Sequence, residues 1–228
     1  MKTREELLSY INNVPELSAL EDIVKQHCTK DAAHSLAHFH RVALWTIKID
    51  PRLNPRHAIA AALLHDIINI PKNSPERPKA SEYSASFAQD LLPKFGFNSS
   101  EVLLIIDAIR DHSYSRGTIP KSPLGKALQD ADRLESLGAI GIMRVFSTGA
   151  RMDAAYFNDS DPWAKNRLRD DIKFSIDHFF EKLFKLPSTM NTEEGKKEAY
   201  RRCEIMHLFL EQLGIELGEF LPSSISKD

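Results

Sequence analysis

Apolar positions recur along the chain three and four residues apart, the period of an α-helix, and no segment sustains the two-residue alternation of a half-buried strand. The pattern therefore predicts an all-α fold. The first two helices fall over residues 4–12 and 17–29, the second with Leu17, Leu20, Ile23, Val24 and His27 at helical spacing. A third fills DAAHSLAHFHRVALWTIKID up to the break at Asp50-Pro51. The fourth holds AIAAALLHDII, residues 58–68, opened by Asn54 and Pro55 at cap and first-turn positions. Later helices are predicted over 82–94, 99–112 with Ser99 or Ser100 as cap, 123–146, 165–186 and 192–213. Between them, NIPKNSPERPKAS, residues 115–122 and the aperiodic stretch 147–163 read as loops.

AIAAALLHDII has no polar face before its His65-Asp66 pair, so it reads as a helix buried on all sides. An imidazole beside a carboxylate is costly there unless both are compensated. A bound cation does this for both at once; otherwise Asp66 pairs with an arginine and His65 is a satisfied core histidine. His34 and His38 are four apart, with Arg41 and Val42 one turn further on, which gives the third helix a polar face that can meet the pair. A carboxylate from QDADRLE, Asp130 or Asp132, offers another oxygen. The loop after the pair carries Lys72, Arg77 and Lys79, which either grip an anionic substrate or form a solvated charged face.

Composition narrows the partners. With 30 basic and 32 acidic side chains in 228 residues the formal net charge is -2, so no broad positive field attracts a nucleic-acid polymer and phosphate recognition must be local. Cys28 and Cys203 are the two cysteines, far apart and with no C-x-x-C, so neither a disulfide framework nor a cysteine zinc site is indicated. MKTREELLSYINN lacks the apolar core of a signal peptide and no apolar run reaches membrane-spanning length, so a cytoplasmic protein is expected.

The stretches HSLAHFHRV, AALLHDI and LQDADRLESLGAIGIMR together resemble the HD-domain superfamily of metal-dependent phosphohydrolases, whose pattern is a His, an adjacent His-Asp and a distant Asp. PKNSPERPKAS, AIRDHS and HFFEKLFKLPSTMNTEEGKKEA extend the likeness over nearly the whole chain, to a bacterial subgroup similar to nucleoside triphosphate pyrophosphohydrolases. The resemblance implies one HD-type helical bundle over residues 1–228, with its core over 17–146 and an additional C-terminal helical pair over 165–214. It assigns metal ligation to His38, in an H-x-x-R-V pattern, and to His65, Asp66 and Asp132. Asp132 is selected over Asp130 because the family's last ligand is followed by a basic residue, here Arg133. His34 and His40 fall outside the ligand set, and His34-Ser35 stands where members often carry His-Asp.

Two imidazoles and two carboxylates suit one divalent ion, Mn, Mg, Co, Ni or Zn, with positions left for water and a phosphate oxygen. Asp66 and His112 are the expected catalytic pair. His112 is suited near neutral pH to protonate a leaving group or bind phosphate, its alternative being a helix-terminal histidine favoured by the macrodipole. Arg41, Arg77, Lys79 and Arg133 form the pool for substrate contacts. His178, Lys182, Met143, Phe146, Phe179 and Phe180 are expected to serve packing. The expected activity is hydrolysis of a nucleoside triphosphate to monophosphate and pyrophosphate. Its alternatives are a phosphomonoesterase or cyclic-nucleotide phosphodiesterase, a non-catalytic nucleotide-sensing module, and a di-iron oxygenase. No membrane partner is expected, and a homodimer is compatible with the chain.

Overall fold

The computed structural model describes residues 1–28, 35–70, 74–113 and 116–222. Among them the only strand-like pairing is an isolated bridge between Ala155 and Phe174, so the fold is all-α. No helix among them is long and apolar enough to cross a membrane. The chain divides into two compact units, Met1–Arg133 and Leu134–Asp228.

The first unit contains α1 (Arg4–Asn13), α2 (Pro15–His27), α3 (Leu36–Ile49), α4 (Pro55–Leu64), α5 (Ala80–Leu91), α6 (Ser99–Asp111) and α7 (Pro123–Leu134). At its centre stands α4, which packs against α2, α3, α5 and α6. Every residue from Ala58 to Leu64 is fully buried. Four alanines among these seven let neighbouring backbones approach closely, while Ile59, Leu63 and Leu64 fill the gaps. Pro55 occupies the first turn and the Asn54 side chain accepts the Arg56 backbone N–H at 2.9 Å, as the sequence predicts.

The second unit contains α8 (Gly138–Arg151), α9 (Asp177–Glu181), a 3-10 segment Leu183–Thr189 and the long α10 (Glu193–Leu217). Its core gathers Phe146, Phe179 and Phe209, the last two stacked at 6.1 Å. Buried Trp163 donates its indole N–H to the Glu219 carbonyl at 2.6 Å.

Several sequence expectations are corrected. The helix expected over 123–146 is two, because the chain turns after Leu134 and Gly138 adopts φ +69, a left-handed conformation that glycine adopts without strain. The second of them runs on to Arg151, into the stretch expected to be loop. Only Asp177–Glu181 of the helix expected over 165–186 is α-helical. Carboxylates there capture backbone N–H groups that a helix would need: Asp161 takes Lys165 and Asn166, Asp170 takes Ile172 and Lys173, and Asp177 takes Asp170. Asn98, not Ser99 or Ser100, caps α6, with Glu101 completing a capping box. Met143 is 60% exposed rather than core.

Candidate metal centre

The His65-Asp66 pair does not continue α4. The helix ends at Leu64 and both residues stand in the turn that follows, with His65 as the C-cap. His65 Nδ1 lies 2.7 Å from the Ala62 carbonyl, and the Ile68 backbone N–H is taken by Ser84 on α5 at 3.2 Å. A carbonyl only accepts, so His65 carries a hydrogen on Nδ1 and turns its Nε2 the other way. That Nε2 is buried and has no hydrogen-bond partner.

Around it the four candidate ligands come together. His65 Nε2 is 3.7 Å from Asp132 Oδ1 and 3.9 Å from Asp66 Oδ2, while His38 Nε2 is 3.6 Å from the same Asp132 oxygen. These lengths exceed a hydrogen bond, yet donor atoms on an ion with bonds of about 2.1 Å stand about 3 to 4 Å apart. His38, His65 and Asp132 form one group able to hold a cation, and His65, Asp66 and His112 a second. Phe39 sets its ring edge-on to His65 at 5.4 Å and walls the site.

The electrostatics favour a cation. Burial by itself disfavours a charged His65, but the Asp132 and Asp66 carboxylates outweigh it and raise its pKa to about 9. Burial likewise works against a charged Asp132, and the facing His65 and His38 hold its pKa below the ordinary range. An unpartnered buried nitrogen facing two carboxylates is what a cationic guest fits, and the mixed nitrogen and oxygen donors suit a divalent one.

His112 repeats the device of His65. It is the C-cap of α6, its Nδ1 lies 2.5 Å from the Ile109 carbonyl three residues back, and its Nε2 is 3.5 Å from Asp66 Oδ1. The two rings meet edge to face at 4.8 Å. Asp66 thus offers one oxygen toward His65 and the other toward His112. A narrow crevice lined by Val24, His27, Cys28, Phe39, Ile67 and Asn69 reaches Asp66.

The remaining candidates separate. Arg41, half-buried, is on α3 beyond His38, and Arg133, also half-buried, directly follows Asp132. Arg77 instead braces the loop, its Nη1 donating to Asn69 Oδ1 at 2.9 Å and the Ile70 carbonyl at 2.6 Å. Exposed Lys79 pairs with Glu76 at 3.2 Å. Asp130 is fully buried in α7, and it is Asp132 that lies beside His38 and His65. His40 is occupied elsewhere, its Nε2 2.6 Å from Glu21, which also pairs with Lys25. His178 meets Asp171 at 2.7 Å. His34 and Lys72 lie outside the described residues. Gln129, which the sequence pattern does not single out, is fully buried on α7 and donates to the Asp111 and Thr118 carbonyls.

A helical unit carrying a histidine, a His-Asp turn and a distant aspartate in one cluster is the arrangement of the HD domain, and that family's sequence profile matches residues 32–137. The chain belongs to the HD-domain family. It is 35% identical over 158 residues to the uncharacterized protein YpgQ of Bacillus subtilis, covering 67% of this chain and 68% of that protein. The crystal structure of Bacillus subtilis YpgQ in complex with ADP is similar with a TM-score of 0.70 at 27% identity, over 92% of this chain and 96% of that one. An HD-superfamily hydrolase from Bacillus thuringiensis is similar with a TM-score of 0.65 at 29% identity, over 95% and 99%.

Proposed function

We propose that this protein is a divalent-metal-dependent phosphohydrolase acting on a nucleotide, most specifically one that splits a nucleoside triphosphate into monophosphate and pyrophosphate. The observation that carries the reading is His65 Nε2, a buried nitrogen without a hydrogen-bond partner facing two carboxylates. The nucleotide is supported by the similarity to YpgQ, whose crystal structure holds ADP.

In this reading His38, His65, Asp66 and Asp132 hold the ion. When bound, it supplies a Lewis acid that lowers the pKa of water and polarises a phosphoryl oxygen. The chain's own groups do the rest. Asp66 spans the centre, one oxygen toward the ligand His65 and the other toward His112, so the ligand set and the proton donor keep a fixed separation. His112, locked through Nδ1 by the Ile109 carbonyl, moves protons only at Nε2: protonated, it hands one to the leaving oxygen, and neutral, it accepts. Arg41 and Arg133, in the helices that carry His38 and Asp132, offset charge on the phosphoryl oxygens. Arg77 and Lys79 each have partners in their own loop and complete the pool of substrate contacts.

The test is a nucleotide panel with metal-replete protein, read by separate detection of pyrophosphate and orthophosphate. Pyrophosphate equal to monophosphate is expected. Orthophosphate alone would move the reading to a phosphomonoesterase, and binding without turnover to a sensing module.

A further inference from the structure

We propose that Gln129 is the positioning residue that holds His112 against Asp66. The inference rests on the role given to His112 above. Gln129 lies on α7 and its side chain is fully buried. Its amide Nε2 donates to two backbone carbonyls, Asp111 at 2.9 Å and Thr118 at 2.9 Å. The first belongs to the peptide that joins Asp111 to His112. It is also one of the last carbonyls of α6, which lack a partner inside the helix. Holding that oxygen fixes the peptide plane from which the His112 side chain departs. The second carbonyl lies on the return path to α7, so one amide, using both its hydrogens, pins the chain on either side of His112.

Other contacts make the clasp tight. Ser122 Oγ accepts the Gly125 backbone N–H at 3.0 Å, and a Cβ added at Gly125 would stand 2.7 Å from Pro120, too close for any residue but glycine without a shift. On the other side, Asp111 is held by Arg110 at 2.8 and 2.9 Å and faces Arg116 at 3.7 Å, while Arg116 also pairs with Glu82 of α5. Gln129 and Asp132 are three apart on α7 and share a face. One helix therefore supplies a metal-ligand candidate and, through Gln129, sets where His112 stands relative to it.

The chemistry demands glutamine. Methionine fills the space but takes the donor from the Asp111 and Thr118 carbonyls, and glutamate adds a carboxylate facing two oxygens. In Gln129→Met, turnover of a nucleoside triphosphate should fall about 10- to 100-fold in kcat with KM changed little. Metal affinity should stay within about threefold of the parent protein, since all four ligand candidates remain. Combined with His112→Ala, Gln129→Met should cost nothing beyond His112→Ala alone.

Nitrogen-detected NMR of the imidazoles in metal-free protein gives a readout independent of turnover. His112 should lose its single Nδ1–H signal in Gln129→Met while that of His65 is unchanged. An unaltered His112 signal, additive losses, or loss of metal affinity as deep as in His65→Ala would each overturn the inference. If Gln129→Met does not fold, Gln129→Asn, one methylene shorter, should retain one of the two bonds and give an intermediate His112 signal. A parental signal in that variant would equally overturn it. If the parent protein hydrolyses no nucleotide, the proposed reaction fails, and the His112 signals still decide whether Gln129 positions it.

Discussion

Each unit buries an ionisable group, and they compensate it differently. In the second unit Asp177, 1% exposed, is closed by the chain: Arg167 reaches it with two nitrogens at 2.5 and 2.9 Å and the Asp170 backbone N–H adds a third bond at 2.7 Å. In the first, His65 is as deeply buried and its Nε2 faces carboxylate oxygens at 3.7 and 3.9 Å with no hydrogen bond to either. The arrangement around Asp177 is closed by hydrogen bonds within the folded chain, and the one around His65 is a group able to hold a cation. A buried charge balanced by an arginine fork reads as architecture, whereas donors converging at lengths too long to bond one another read as a site.

The sharpest way to break this contrast is substitution on both sides of it. His65→Ala, Asp66→Ala and Asp132→Ala should each abolish metal-dependent turnover. They should also remove the stabilisation that metal confers, about 2.7 kcal/mol at a hundred times the dissociation constant, measured by denaturant unfolding with and without metal. Asp177→Ala should leave that metal-dependent gain intact while lowering baseline stability by about 3 kcal/mol, because it strands Arg167. A lost metal response in Asp177→Ala would erase the distinction.

Acidity sharpens it further. His65 has a folded pKa of about 9 without metal, against an ordinary 6.5. A raised pKa means that the protonated form stabilises the metal-free fold. This contribution is fully present below about pH 6.5 and disappears as pH rises through about 9. Metal-free protein should therefore be less stable at pH 9.5 than at pH 6 by about 3 kcal/mol from this group, and metal-loaded protein should not show that loss. Because Nε2 must be bare to bind, metal affinity should weaken about tenfold for each pH unit below 9, with close to one proton released at pH 7 in calorimetry across buffers. The smallest effect belongs to His40→Ala. It should cost about 1 to 2 kcal/mol of stability through the lost Glu21 contact and leave metal affinity near the parent value. Comparable losses of metal binding from His40→Ala and His38→Ala would contradict the ligand assignment.

The first unit was the more legible in sequence. The unbroken apolar run before His65 announced a central helix, and Asn54-Pro55 announced its start. That Asp132, rather than its neighbour Asp130, lies beside His38 and His65 was readable only through the family's motif, since residue type fits both. Other features escaped because they depend on tertiary partners. The turn at His65 is set by bonds to the Ala62 carbonyl and to Ser84, which helical periodicity does not register. The stretch before α9 has helical composition, but Asp161, Asp170 and Asp177 bend it by taking backbone hydrogens. Gln129 escaped for the same reason: its two acceptors are carbonyls, and every residue has one.

His65 and His112 cap the carboxyl ends of α4 and α6, and a helix presents about half a negative charge at that end. Two such ends beside Asp66 and Asp132 make the metal-free cleft a cation's destination and a phosphate's obstacle. Under the proposed function, metal is therefore expected to enter before nucleotide. Metal-stripped protein should hold a fluorescent nucleotide at least about tenfold more weakly than loaded protein, and equal affinity would show that the field at the helix ends imposes no order. In a cell, the supply of free divalent ions would then throttle how often the cleft sees a nucleotide at all.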